Sequence, residues 1–259
     1  MPSWIAGIIE RLRPIMARPR GKGIDPVYWI VQSSVMTTEP LLLNGARLIA
    51  DLSGALYWPD RSILIVSDMH LEKGSSFAAK GIPLPPYDTA VTLKRLAALC
   101  AGYKPHSVLC LGDNFHDSNG LERMGQADRA LLEKLIETHN WIWIAGNHDP
   151  SLPEDLSGRR TIEETIGTLT FRHEASREAA RGEISGHYHP SARVQTRQRY
   201  VSGRCFAYNN DKLIMPAFGA LSGGLSVHDK AIRAVLGKRF DILFLGSRRI
   251  FRFPADKLR

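Results

Sequence analysis

Three short apolar runs, at residues 63–66 (ILIV), 108–111 (VLCL) and 141–145 (WIWIA), constrain the fold of this 259-residue chain more than any other feature. Each is too short for a core helix and is bounded by turn residues. Because successive side chains of a strand point to opposite faces, a run with no polar alternation must be covered on both faces, as parallel strands between helices are. The segments between the runs carry helical spacing instead. From Asp88 onward, Leu93, Leu96, Ala97 and Cys100 share one face; from near Ala127, Leu131, Leu132, Leu135 and Ile136 do so. This alternation predicts an α/β layered fold. Asn44-Gly45, between residues 41–43 and 48–50, signals a tight hairpin, and Ser53-Gly54 and Pro59-Asp60 mark further turns. Later strands are expected at residues 169–171, 183–185, 204–208, 213–215 and 242–245, in a second sheet packed on the first. Nothing in residues 36–259 reads as a linker, so they are taken as a single domain.

Composition limits the class. Hydrophobic residues at 44% and charged residues at 23% fit a globular domain and exclude a disordered or collagen-like chain. No uninterrupted apolar run reaches the roughly 18 residues of a membrane helix, so no membrane partner is expected. Cys100, Cys110 and Cys205 form no C-x-x-C pair; they read as thiols of a reducing compartment, and a cytoplasmic location is expected. The formal charge of +8 is uneven: +3 over residues 1–35, −5 over 36–189 and +10 over 190–259. Residues 1–35 read as a poorly ordered basic N-terminal extension before a domain starting at Met36. An Arg-rich, acid-poor start is also what an organellar transit peptide has, whereas Arg11 and Arg13 interrupt the apolar run too early for a secretory signal. The basic tail points to an anionic partner such as nucleic acid.

Four polar segments follow apolar strands directly: Ser67-Asp68-Met69-His70, Gly112-Asp113-Asn114-Phe115-His116-Asp117, Gly146-Asn147-His148-Asp149 and Gly186-His187-Tyr188-His189. Sites in α/β sheets form at the carboxyl ends of strands, where loops converge on rigid supports. Asp68 and His70, and likewise His187 and His189, are two apart, so on extended backbone each pair points to one side. Gly112, Gly146 and Gly186 permit sharp turns and close backbone approach. Two Asp (Asp68, Asp113), one Asn (Asn147) and three His (His70, His187, His189) exceed one tetrahedral site. This mixed oxygen and imidazole set suits a pair of divalent ions, such as Mn, Fe or Zn, and a carboxylate can bridge ions about 3.5–4 Å apart.

In this order the motifs resemble the calcineurin-like metallophosphoesterases, with their series D-x-H, G-D-x-x-(D/H), G-N-H-(D/E), a separate His and G-H-x-H. The resemblance implies two mixed β-sheets packed face to face with helices outside. It also implies that Asp68, His70 and His189 hold one metal, that Asn147 and His187 hold the second, and that Asp113 bridges them. The separate histidine falls on His173, the one His between His148 and His187, as a ligand of the second metal. His148 would act on the substrate as general acid or transition-state donor while metal-bridged hydroxide attacks phosphorus. Gly112-Asp113-Asn114-Phe115-His116 is similar to the G-D-x-F-H of Mre/SbcD-type repair nucleases, which places His116 beside His148 and tilts the expectation to phosphodiester cleavage. The segment from Asp68 to Ala78, with Ser53-Gly54-Ala55-Leu56-Tyr57-Trp58-Pro59 and Met215-Pro216-Ala217-Phe218-Gly219-Ala220, resembles the bacterial ligase-associated DNA damage response endonucleases (PdeM-type). That narrower likeness implies a DNA endonuclease in damage repair, associated with a DNA ligase and a helicase; of the two-metal set, manganese is the metal expected, with iron or zinc as alternatives. Lys73 and Ser75, with Ser76, would meet phosphate beside the metals. Arg193, Arg197, Arg199 and Arg204, then Arg248, Arg249 and Arg252, would form a basic track for a nucleic-acid backbone. A phosphatase or a phosphodiesterase for small molecules is the alternative; a non-catalytic scaffold is disfavoured because every ligand and His148 are present.

Overall fold

The apolar runs become the middle of a sheet. The structure is a computed structural model and describes residues 38–258 apart from 83, 85, 86, 153, 179 and 196–198. The extension read at residues 1–35 and Arg197 lie outside the described residues. Thr38–Leu43 (β1) and Ala46–Asp51 (β2) pair antiparallel across Asn44 (φ 44°) and Gly45 (φ 82°). Two successive positive φ values are what a two-residue hairpin turn of this hand requires. Leu56–Trp58 (β3) and Ile63–Val66 (β4) continue antiparallel, and Ser107–Leu111 (β5), Asn140–Ile144 (β6) and Arg159–Thr161 (β7) then add in parallel.

The second sheet draws on Glu163–Ile166 (β8), Leu169–Arg172 (β9), Glu183–Ser185 (β10), Ser191–Gln195 (β11), Tyr200–Tyr208 (β12), Lys212–Ile214 (β13), Asp241–Leu245 (β14) and Ile250–Pro254 (β15). Its order is β15-β14-β12-β13-β10-β9-β8, with β9, β10 and β13 running parallel and β11 paired to the first part of β12. The helices are Lys73–Ala79 (α1), Asp88–Tyr103 (α2), Gly120–Arg123 (α3), Gln126–Thr138 (α4) and Lys230–Leu236 (α5). None among the described residues is long and apolar enough to cross a membrane.

The period-2 geometry of strands explains the layers. On one face of the first sheet, Ile65, Leu109, Leu111 and Ile144 meet Phe171, Ile184, Phe206 and Leu213 of the second. On the other face, Leu64, Val66, Val108, Cys110 and Trp143 meet Leu93 and Leu96 of α2 and Leu132, Leu135 and Ile136 of α4. The second sheet turns Cys205, Ala207, Ile242 and Phe244 outward onto Ile232 and Leu236 of α5. Two mixed sheets therefore lie face to face with helices outside. Burying one such side chain stabilises by about 1.5–3 kcal/mol, so the runs have no competitive alternative to the interior. The three thiols are free and buried in these layers.

The starts of α1 and α2 interlock. Asp88 does not cap its own helix: Tyr87 holds that position, and the Asp88 carboxylate accepts a hydrogen bond from Gly74 N of α1 at 3.0 Å. Thr89 Oγ1 accepts from Glu72 N at 2.8 Å. The start of α2 thus satisfies donors at the start of α1, a helix that the sequence Lys73-Gly74-Ser75-Ser76 does not announce.

Candidate metal centre

The four polar segments converge where the carboxyl ends of β4, β5, β6 and β10 meet, but not on extended backbone. Asp68 (φ 51°), His70 (φ 44°), Asp113 (φ 47°), His187 (φ 67°) and His189 (φ 45°) all adopt the left-handed conformation. This corrects the alternation argument: each D-x-H and H-x-H pair converges because every second residue is left-handed, curling the chain around its ligands. Crossed backbone hydrogen bonds hold the curls. Asp68 N donates to Gly112 O (3.2 Å), His70 N to Asp113 O (2.8 Å), Phe218 N to Ser67 O (2.7 Å) and Gly219 N to Asp68 O (3.1 Å).

Two donor clusters that include a carboxylate result, Asp68/His70/His189 and Asp113/His173/His187, and His70 also groups with His116 and His148 as a third set of imidazoles. In the first, His189 Nε2 lies 3.0 Å from Asp68 Oδ1 and 3.4 Å from His70 Nε2. In the second, His187 Nδ1 is 2.8 Å from Asn147 Oδ1 and 3.2 Å from His173 Nε2. Asp113 stands between them, with Oδ1 3.3 Å from His173 Nε2 and Oδ2 3.8 Å from His70 Nε2. The structure thus brings together all seven residues expected as ligands.

The donor chemistry fits a cation. His173 Nδ1 donates to Leu111 O at 2.9 Å, so in the neutral ring the lone pair sits on Nε2. That lone pair faces Asn147 Oδ1 at 3.0 Å and Asp113 Oδ1 at 3.3 Å. Three acceptors directed at one another repel unless a cation lies among them. His189 is oriented in the same way, its Nδ1 donating to Gly223 O at 3.1 Å. Such outer hydrogen bonds fix the tautomer that binds metal.

Electrostatics agree. Burial alone would raise the Asp68 carboxyl, but hydrogen bonding and charge from His189, with His173 and Ser67, hold it below the usual carboxylate value. Burial lowers His70 to about 3 and lowers His187, so both present neutral imidazoles at physiological pH. His189 is raised: burial opposes its charge, but the Asp68 carboxylate outweighs burial.

His148 lies next to both clusters. Its backbone N donates to Asp113 Oδ1 at 2.9 Å, and its Nδ1 donates to His116 O at 2.9 Å, which leaves Nε2 on the site side, 4.0 Å from Asp113 Oδ2. The His116 and His148 rings stack 5.0 Å apart at 26°, and His70 meets His148 edge-on at 5.0 Å. Burial, then the positive charge of Lys73, lowers His116 to about 4.

Sequence reasoning passed over several supporting groups. Asp149, 1% exposed, accepts from Gly146 N (2.9 Å), Asn114 N (2.8 Å), Asn114 Nδ2 (2.9 Å) and Phe115 N (3.2 Å). It ties the second motif to the third, and its place at the end of Gly146-Asn147-His148-Asp149 was the available signal. Ser67 Oγ donates to Asp68 Oδ2, and His187 N donates to both Asp68 oxygens at 3.1 Å.

The proposed substrate contacts are distributed unevenly. Lys73 opens α1, and its charge bears on both His70 and His116. The Ser75 hydroxyl is engaged by the scaffold, donating to Glu72 O at 3.0 Å and accepting from Arg123 Nε at 3.2 Å. Exposed Arg193, on β11, packs over Tyr200 at 4.4 Å. Arg204 turns inward, donating to Ala217 O and to Ser53 O (3.3 Å), whereas exposed Arg252 pairs with Glu39 (3.3 Å) and Pro40 O (3.0 Å).

Residues 61–243 match the family description "Calcineurin-like phosphoesterase". Among solved structures, the nuclease MPE of Pseudomonas putida is 25% identical, covers 83% of this chain and 100% of its own, and superposes with a TM-score of 0.66. A phosphoesterase from E. coli, Yfce, is 13% identical over 74% of this chain and 97% of its own, with a TM-score of 0.35. An uncharacterized protein from Streptococcus pneumoniae TIGR4, titled a predicted phosphoesterase, is 15% identical over 74% and 96%, with a TM-score of 0.27. No curated protein sequence matches the chain. With its family match, its fold and its clusters of metal-binding side chains, the chain belongs to the calcineurin-like phosphoesterases and is a metal-dependent phosphoesterase hydrolase.

Proposed function

We propose that this enzyme is a dinuclear phosphodiesterase, an endonuclease acting on DNA in damage repair, with manganese as its metal. Asp68, His70 and His189 would hold one ion and Asn147, His173 and His187 the other, with the Asp113 carboxylate placed to serve both. Such ions supply Lewis acidity that activates water near neutral pH and offsets charge on phosphoryl oxygens. His148, anchored through Nδ1, presents Nε2 to the leaving oxygen as proton donor, and Lys73 meets a phosphate oxygen.

The observation that carries the diester reading is the stacked pair His116–His148 beside the clusters. With His at 116, lowered to about 4, no carboxylate stands there to hold His148 as a charged acid, and the likeness of Gly112-Asp113-Asn114-Phe115-His116 to the repair nucleases points the same way. The neighbour titled a nuclease supports the same reading. A cytoplasmic site of action and association with a DNA ligase and a helicase belong to this proposal through the family resemblance.

The test compares single-stranded, duplex and nicked DNA with a chromogenic phosphodiester and phosphomonoester, each with Mn, Mg or Zn. Cleavage of diester and DNA, best with Mn, is expected. Monoester turnover without diester or DNA cleavage would replace the reading with a phosphatase.

A further inference from the structure

Apart from the basic tail, α1 brings positive charge close to the metal centre. Lys73, Phe77 and Lys80 fall at i, i+4 and i+7, a spacing that gathers side chains on one helical face. Phe77 lies 5.5 Å from His116 at an interplanar angle of 35°, and His116 lies 5.0 Å from His148 at 26°. Three rings therefore form a row that starts beside the ligands and ends at Phe77, which keeps part of its surface exposed. Lys73 and exposed Lys80 stand close enough to bear electrostatically on His116. An aromatic surface between two cations is the arrangement by which proteins hold unpaired polynucleotide: the ring takes a base, the cations take phosphates. A paired base inside a duplex has no free face to offer.

We infer that the α1 face carrying Lys73, Phe77 and Lys80 is a subsite for a nucleotide flanking the scissile phosphate, with Phe77 stacking an unpaired base and Lys80 meeting the next phosphate. The inference rests on the nucleic-acid reading above and names the side chains that would meet the nucleotide beside the scissile phosphate.

The test measures the Ki of a single-stranded oligonucleotide against hydrolysis of a chromogenic phosphodiester by the Mn-loaded enzyme, beside the Ki of the same sequence as duplex. Phe77→Leu keeps apolar bulk against His116 and Phe77→Tyr keeps the ring. Stacking of one base predicts a single-strand Ki raised roughly 5- to 100-fold by Phe77→Leu. Phe77→Tyr should stay within about twofold and the duplex Ki should not change. Lys80→Ala should flatten the dependence of log Ki on log salt by about 0.7, the slope of one phosphate contact to a single strand. A wild-type single-strand Ki in Phe77→Leu, or equal weakening of both strand forms, overturns the subsite. Gel analysis of the same samples separates the two claims: intact DNA with a Phe77-dependent Ki refutes the nuclease reading alone, and cleaved DNA with a Phe77-independent Ki refutes the subsite alone.

Discussion

Gly146→Ala tests the site where it is packed most tightly. A Cβ at residue 146 would stand 2.2 Å from both Asp113 N and Asp113 Oδ1, and 2.9 Å from Asp149 Oδ1. Ordinary contact begins near 3.4 Å, so the bridging carboxylate or the Gly146–His148 backbone must retreat by about 1 Å. Neither can move alone, since His148 N donates to that same Asp113 oxygen at 2.9 Å and Gly146 N donates to Asp149 at 2.9 Å. A misplacement of about 1 Å costs on the order of 100-fold in rate, about 2.7 kcal/mol of barrier. Overpacking adds roughly 1–3 kcal/mol of destabilisation, a fall in Tm of roughly 2–12 °C for a domain of this size. The assay is kcat/KM on a chromogenic phosphodiester at saturating Mn, with bound metal counted and Tm read by circular dichroism. Gly125→Ala, where a Cβ meets nothing within 4 Å, is the control and should keep wild-type kcat/KM. Gly146→Ala with activity within threefold of wild type and a full metal complement would refute the claim that this contact sets the position of Asp113.

Other outcomes follow from the same geometry. His148→Ala should lower kcat by about 10²–10⁴-fold with both metals retained; unchanged kcat would remove His148 from proton transfer. Asp113→Asn keeps a residue that tolerates the left-handed backbone but weakens the bridge, so metal binding should fall below two equivalents, and retention of two would refute the bridging role. Because His189 is raised and His70 lowered, an ion entering the Asp68 cluster must displace a proton from His189. Its affinity should therefore fall as pH drops through the His189 value, with protons released on binding; calorimetry in buffers of different ionisation enthalpy that finds no release near pH 6.5 would contradict this. Asp149→Ala should cost several kcal/mol, since three backbone donors and the Asn114 amide lose their acceptor; a Tm within a degree of wild type would show that water replaces it.

The central strands and the ligand set were legible for the same physical reason. Residues 63–66, 108–111 and 141–145 are apolar on both faces, so burial leaves them one solution, and each ends in polar residues that burial forbids. β8 was not legible, because its exposed Glu163 and Thr165 carry no burial signal. Helix α1 was hidden because Asp88 and Thr89, distant in sequence, satisfy its first donors. The left-handed alternation was missed because it depends on bonds donated to Gly112 O and Asp113 O and received from Phe218 N, not on residue types at 68 and 70. Arg204 looked like surface charge until its carbonyl partners were known.

The left-handed ligands set function against resilience. For an L-residue this conformation costs about 1–2 kcal/mol, and five ligands adopt it at once. Glycine at any of them would relieve the backbone and abolish a donor. The metal-free protein therefore has an easy route to greater stability that runs directly through loss of its activity, and selection for robustness alone would erode the centre first.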